Sequence, residues 1–181
     1  MGQNTLIEDE EADESTDPSI RVADRQTWRT PDTLFDGLHS EFNFTLDAAA
    51  NAWDSKCDKY ISPDEDSLIT PWGHGQIIWC NPPFAQVMPW MKKALVEQTN
   101  RNDIVFLLKA ATDTRWFHQY VIPYAEWWLF DGRVHFEPPP GIKASTPSFG
   151  AMLVRYAADG SSGFRGARCP KTGRVTTPVG R

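Results

Sequence analysis

The chain has 181 residues, of which 40% are hydrophobic and 12% aromatic, and its formal net charge is −6. That is one domain's length with enough Trp and Phe to fill a core, which excludes a wholly disordered chain. No apolar run approaches the roughly 20 residues that span a bilayer, and the acidic start MGQNTLIEDEEADESTD lacks the basic-then-apolar order of a secretory signal, so no membrane association and a cytoplasmic location are expected.

Residues 1–24 carry Glu8, Asp9, Glu10, Glu11, Asp13, Glu14, Asp17 and Asp24 against Arg21 alone, and read as a disordered acidic arm. A folded domain is expected over 25–157. Thr30-Pro31-Asp32 reads as a helix start, with Thr30 as N-cap and Pro31 as the first helical residue. Leu34, Phe35, Leu38 and Phe42 follow at helical spacing. Phe44–Asp47 reads as a short strand running into the small residues Ala48, Ala49 and Ala50. Gln76–Cys80 is a strand that stops at Asn81-Pro82-Pro83-Phe84, and Pro89 opens a helix. Asp103–Leu108 is a continuous apolar run, as in a strand covered on both faces. Thr112 or Asp113 caps a helix carrying Trp116, Phe117, Tyr120 and Val121. Strand-like runs Glu126–Phe130, Arg133–Phe136 and Phe149–Tyr156 follow. The segment 158–181 holds Gly, Ser and Thr with Arg165, Arg168, Lys171, Arg174 and Arg181, and reads as a flexible basic tail.

The pattern predicts an α/β fold: a mixed, mostly parallel sheet with helices on both faces and a C-terminal antiparallel hairpin. Chemistry in such sheets sits at the carboxyl ends of the strands. Cys57, Cys80 and Cys169 form no CxxC pair and read as reduced thiols. Cys57, His74 and Cys80 match no zinc spacing, so no metal is expected.

Asn81-Pro82-Pro83-Phe84 is the most informative tetrapeptide. Two prolines cannot continue a ladder, so the chain leaves the sheet as a stiff extended turn. That turn presents an amide, a free carbonyl and a ring together. The set suits methylation of an exocyclic base amine, whose lone pair is delocalised into the ring. The Asn81 oxygen and the Pro82 carbonyl can hold the two N–H groups, favouring a pyramidal nitrogen, while Phe84 stacks on the base. An ordinary proline-stiffened turn also accounts for the residues.

The turn resembles the catalytic motif of DNA adenine-N6 methyltransferases. Together with Trp28-Arg29-Thr30-Pro31, Leu46-Asp47-Ala48-Ala49, Asp66-Ser67-Leu68 and Thr112–His118, it resembles the small phage-type Dam family. The resemblance implies a Rossmann-like fold that uses S-adenosylmethionine, DNA as partner, a phage or prophage source and Asn81, Pro82, Pro83 and Phe84 as the catalytic set. It implies cofactor contacts at Trp28, Thr30, Pro31, Asp47, Ala48, Asp66 and Asn81. A plain N-cap fits Thr30 equally well, and an exposed acidic turn fits Asp66. The glycine-rich loop usual in methyltransferases is replaced here by Ala48–Ala50.

DNA contacts are expected from Arg115, Phe136, Arg165, Arg168 and Lys171, with Lys109 and Arg133 as further phosphate candidates and the loops 53–62 and 138–147 as short reading elements. With no bulky recognition segment between the motifs, sequence selectivity is expected to be modest. The turn also admits methylation of cytosine N4 or of an RNA base, and a non-catalytic nucleic-acid-binding module is the alternative from another class. Oligomeric state is left open.

Overall fold

A computed structural model describes residues 28–138 and 147–178; the acidic arm, most of the 138–147 loop and Arg181 lie outside them. Its strands are β1 (Leu46–Asp47), β2 (Ile77–Cys80), β3 (Asp103–Lys109), β4 (Glu126–Phe130), β5 (Ala151–Tyr156), β6 (Gly163–Arg168) and β7 (Val175–Pro178). They form one mixed sheet in the order β1-β2-β3-β5-β4-β6-β7. β1, β2 and β3 pair in parallel, as do β4 and β6, while β5 runs antiparallel between β3 and β4. β7 closes an antiparallel hairpin with β6.

Period-two alternation sorts the core into two layers. On one face Ile78, Cys80, Ile104, Phe106 and Leu108 meet Trp90, Met91 and Ala94 of helix α2 (Val87–Gln98). On the other, Trp79, Val105, Leu107, Trp128 and Leu153 meet Leu34, Phe35 and Leu38 of helix α1 (Asp32–Phe42). This is why Ile104–Leu108 is apolar without a break: both of its faces are covered, and all five side chains are fully buried. α1 ends at Asn43, whose left-handed φ of 59° turns its N–H back to the His39 carbonyl. At its start Pro31, not Thr30, holds the N-cap position, and no side chain caps the helix.

Four expectations are corrected. The segment from Ala158 is not a flexible tail, because β6 and β7 extend the sheet. Its glycines misled: Gly166 adopts φ +112°, and a Cβ there would lie 1.8 Å from the Thr177 carbonyl, so the residue permits close strand contact beside a bulge. Arg133–Phe136 is extended with alternating burial but joins no ladder; the neighbouring Glu137 makes an isolated antiparallel bridge to Arg29. The helix expected from Thr112 is centred on a single π-helical turn, Phe117–Val121, and Pro89 lies inside the first turn of α2 rather than opening it.

Candidate active site

The register of β1 on β2 builds the site. Asp47 lies opposite Trp79, and the Ala48 N–H donates to the Trp79 carbonyl at 2.9 Å. The end of β1 is thereby held beside Cys80 and Asn81. At the prolines the ladder stops, and Pro83 continues at φ −54°, ψ 122° into a 3-10 turn, Phe84–Gln86. A cavity of about 240 Å³ opens at these two strand ends. Trp28, Thr30, Asp47, Ala48, Asp66, Asn81 and Pro83 all contribute to its wall. Pro31, Pro82 and Phe84 do not.

The Asn81 side chain is oriented by the chain before α1: its Nδ2 donates to the Trp28 carbonyl at 3.2 Å. With the N–H end engaged, Oδ1 is the end left to accept from a substrate. Trp28 is itself fixed through the Arg29–Glu137 bridge, whose two backbone hydrogen bonds are each 2.9 Å.

Asp47 is 3% exposed. Its Oδ1 accepts from the Ala49 N–H at 3.2 Å and its Oδ2 from the Lys56 N–H at 3.1 Å. Burial outweighs these bonds and pushes the carboxyl up from 3.8 to about 6, with the charge of Asp54 adding to the rise. Thr30 is also buried, and its Oγ1 has no partner among the described residues. Of the two sequence readings of Thr30, the N-cap is excluded: no side chain caps α1, and this hydroxyl stays unpartnered in the cavity wall. Asp66, at φ +50°, accepts the Leu68 N–H on Oδ1. It follows a 3-10 turn, Pro63–Glu65, in which the Glu65 carboxylate accepts from the Ser62 N–H and hydroxyl, both at 2.9 Å. The Cys57 thiol is pushed up to about 12 by burial and by Asp47 and Asp58, which removes it as a nucleophile at neutral pH.

Phe84 packs into an aromatic cluster. Its ring meets Phe136 at 5.8 Å and Phe149 at 5.6 Å, both edge to face. The Lys109 ammonium lies 5.6 Å from the Phe149 ring centre. The diproline turn therefore stands between the cavity and a group of three rings.

The profile of the DNA N-6-adenine-methyltransferase (Dam) family matches residues 17–154. The chain belongs to the Dam family. Among curated relatives, the DNA N-6-adenine-methyltransferase of Escherichia phage T1 is 33% identical over 94 residues, covering 51% of this chain and 40% of that protein. That of Haemophilus phage HP1 (strain HP1c1) is 29% identical over 109 residues, covering 59% of this chain and 62% of that protein. The matched stretch thus spans less than two thirds of either relative. The Dam match ends within β5, so the β6–β7 hairpin lies beyond it.

In this Dam-family chain the expected DNA-contacting residues scatter. Phe136 joins the ring cluster. Arg115 is exposed beyond the carboxyl end of β3, and Lys171 is exposed in the β6–β7 turn. Arg168 is not available to phosphate: it is 1% exposed, donates to both Glu41 carboxylate oxygens at 2.7 and 2.9 Å, and lies 4.3 Å from the Trp128 ring centre. Arg165 pairs with Glu126 at 2.7 Å. Sequence reasoning treated these two as free charges because their acidic partners lie far away along the chain. It also missed Arg29, Asp54 and Lys56 in the cavity wall and Phe149 in the ring cluster. Arg29 sits inside a quoted motif and could have been singled out; Phe149 carried no local signal. Among the described residues no group of three His, Cys, Asp or Glu is placed to hold a metal ion, and no helix is long and apolar enough to cross a membrane.

Proposed function

We propose that this chain transfers a methyl group from S-adenosylmethionine to the exocyclic N6 of adenine in DNA, on a Rossmann-like sheet, inside the cell that holds that DNA, and that it is phage or prophage encoded. The observation that carries the reading is Asn81, set in the cavity wall with its amide N–H end engaged by the Trp28 carbonyl and its oxygen left to accept. Family membership and the names of the two phage relatives support the same chemistry.

The residues present fit such a cofactor. The unpartnered Thr30 hydroxyl beside the start of α1 suits a carboxylate, and the buried Asp47 carboxylate suits ribose hydroxyls or an ammonium. When bound, S-adenosylmethionine supplies a methyl group on a cationic sulfur. The chain's task is then placement. Asn81 Oδ1 and the Pro82 carbonyl accept the two N–H groups of the target amine and favour its pyramidal form. Held out of the ring plane by these acceptors, the nitrogen lone pair would take up the methyl group that the cofactor supplies, the sulfur keeping the electron pair of the broken bond. The amine then gives up one proton through its acceptors to water. Because the nucleophile gains positive charge before losing that proton, acceptors that bind the charged, pyramidal nitrogen more strongly than the planar amine lower the barrier. The rigid turn fixes their spacing before substrate arrives. Phe84 stacks on the extruded base, supported by Phe136 and Phe149.

Expression in a methylation-free host followed by mass analysis of DNA nucleosides tests the reading. It predicts 6-methyladenine; 4-methylcytosine alone would overturn the adenine assignment, and no modified base would overturn the activity.

A further inference from the structure

We propose that Arg29 and Lys56 form the subsite for the cofactor's carboxylate, and that Asp32 occupies this subsite until the cofactor displaces it. The proposal rests on the methyltransferase reading above and names residues for one end of its cavity.

The charges near the start of α1 are unevenly served. Lys56 contributes to the cavity wall, and its side chain is only 6% exposed, yet the one partner of its ammonium among the described residues is Asp32, whose side chain is 69% exposed. The pairing holds Asp32 below its ordinary carboxylate range, chiefly through the Lys56 hydrogen bond. Lys56 is held in place, since its backbone N–H donates to Asp47. Arg29 also contributes to the wall. Its Nη2 lies 4.0 Å from the same Asp32 oxygen, its Nη1 lies 3.9 Å from Glu137, and its Nε is buried with no partner among the described residues. The Thr30 Oγ1 beside it is likewise buried and unpartnered.

Two cations, a hydroxyl and the first turn of an 11-residue helix therefore meet at one end of the cavity. Asp32, largely solvated, is the one carboxylate that serves both cations, and Glu137 stands 3.9 Å from Arg29 alone. A nearly buried ammonium needs an anion, whereas an exposed aspartate can return to water at little cost. An α-amino-acid end offers the carboxylate that this set would hold better than Asp32 does, through charge-assisted hydrogen bonds away from bulk solvent. The ammonium on the same carbon finds Asp47 and Asp54 in the same wall. Asp32 is thus a resident competitor that keeps the subsite charge-balanced before the cofactor arrives.

Calorimetric titration with two probes tests this. S-adenosylhomocysteine carries the carboxylate, and 5′-methylthioadenosine carries the same nucleoside thioether without it. Lys56→Met is expected to weaken S-adenosylhomocysteine about tenfold or more and leave methylthioadenosine unchanged, with Lys56→Arg recovering most of the loss. Asp32→Asn, a change on an exposed side chain, is expected to tighten S-adenosylhomocysteine about threefold and again leave methylthioadenosine unchanged. Equal effects of Lys56→Met on both probes, no effect on either, or weaker S-adenosylhomocysteine binding by Asp32→Asn would overturn the subsite. Failure of the wild-type chain to bind either probe would overturn the cofactor reading along with it.

Discussion

Asp47 lets a functional assignment be checked through stability alone. Its carboxyl titrates near 6 instead of 3.8 because burial outweighs two backbone hydrogen bonds. At about 1.36 kcal/mol per pH unit, the ionised form is disfavoured in the fold by about 3 kcal/mol. The sign follows from proton counting. Between pH 4 and 6 the folded chain holds a proton on Asp47 that the unfolded chain has lost. Stability from this group is therefore fully present below pH 3.8 and is lost as pH rises through 6. Asp47→Asn removes that dependence, at the expense of one backbone N–H acceptor worth about 1 kcal/mol. Near pH 7.5, without cofactor, the variant should be about 1–2 kcal/mol more stable than wild type; near pH 4 it should be no more stable and slightly less. Urea unfolding at a series of pH values measures both chains, and their difference isolates Asp47 from every other titrating group. If Asp47 meets the cofactor as proposed, the same variant should bind S-adenosylhomocysteine more weakly. A stability difference that does not change with pH would refute the reasoning.

Other perturbations probe the fold and the ring cluster. Gly37→Ala would ordinarily strengthen a helix by up to about 1 kcal/mol. Here a Cβ would fall 1.9 Å from the Thr172 carbonyl, so a net loss of about 2 kcal/mol or more is expected in thermal unfolding as the β6–β7 turn is pushed off α1. Arg168→Met removes a half-buried bidentate pair and its contact with Trp128, and should cost about 2–3 kcal/mol in urea unfolding. It should leave the salt slope of DNA affinity unchanged, because Arg168 meets no phosphate. Phe84→Leu keeps apolar packing against Phe136 and Phe149 but removes the ring face. Steady-state kinetics should show methyl transfer lowered about tenfold to a hundredfold with cofactor affinity intact, in keeping with about 1–3 kcal/mol per stacked base.

What was legible in the sequence was what local chemistry dictates. The apolar run of β3 announced a strand covered on both faces, and the diproline after β2 announced a forced exit from the sheet at the site. Of the cofactor residues implied by the family motifs, all but Pro31 share one cavity wall, and the β1–β2 register sets Asp47 and Ala48 beside Asn81 there. What stayed hidden depends on partners distant along the chain. Val134 and Phe136 alternate in burial like a strand, yet β5 occupies the place between β3 and β4 and leaves them no ladder. The glycines of β6 read as slack until Thr177 is seen against Gly166. Arg168 read as a phosphate contact because nothing nearby in the chain foretells Glu41. Asp32 read as an ordinary first-turn acid, although its ammonium partner comes from the loop after β1.

The central claim is that Asn81 performs the chemistry while the cavity binds the cofactor independently of it. The most direct measurement pairs methyl transfer to DNA with S-adenosylhomocysteine affinity in Asn81→Ala. The account predicts transfer reduced by about a thousandfold, as for loss of a key oxygen or nitrogen contact in a transition state, with affinity changed by no more than about threefold. Wild-type transfer rates in Asn81→Ala would contradict it.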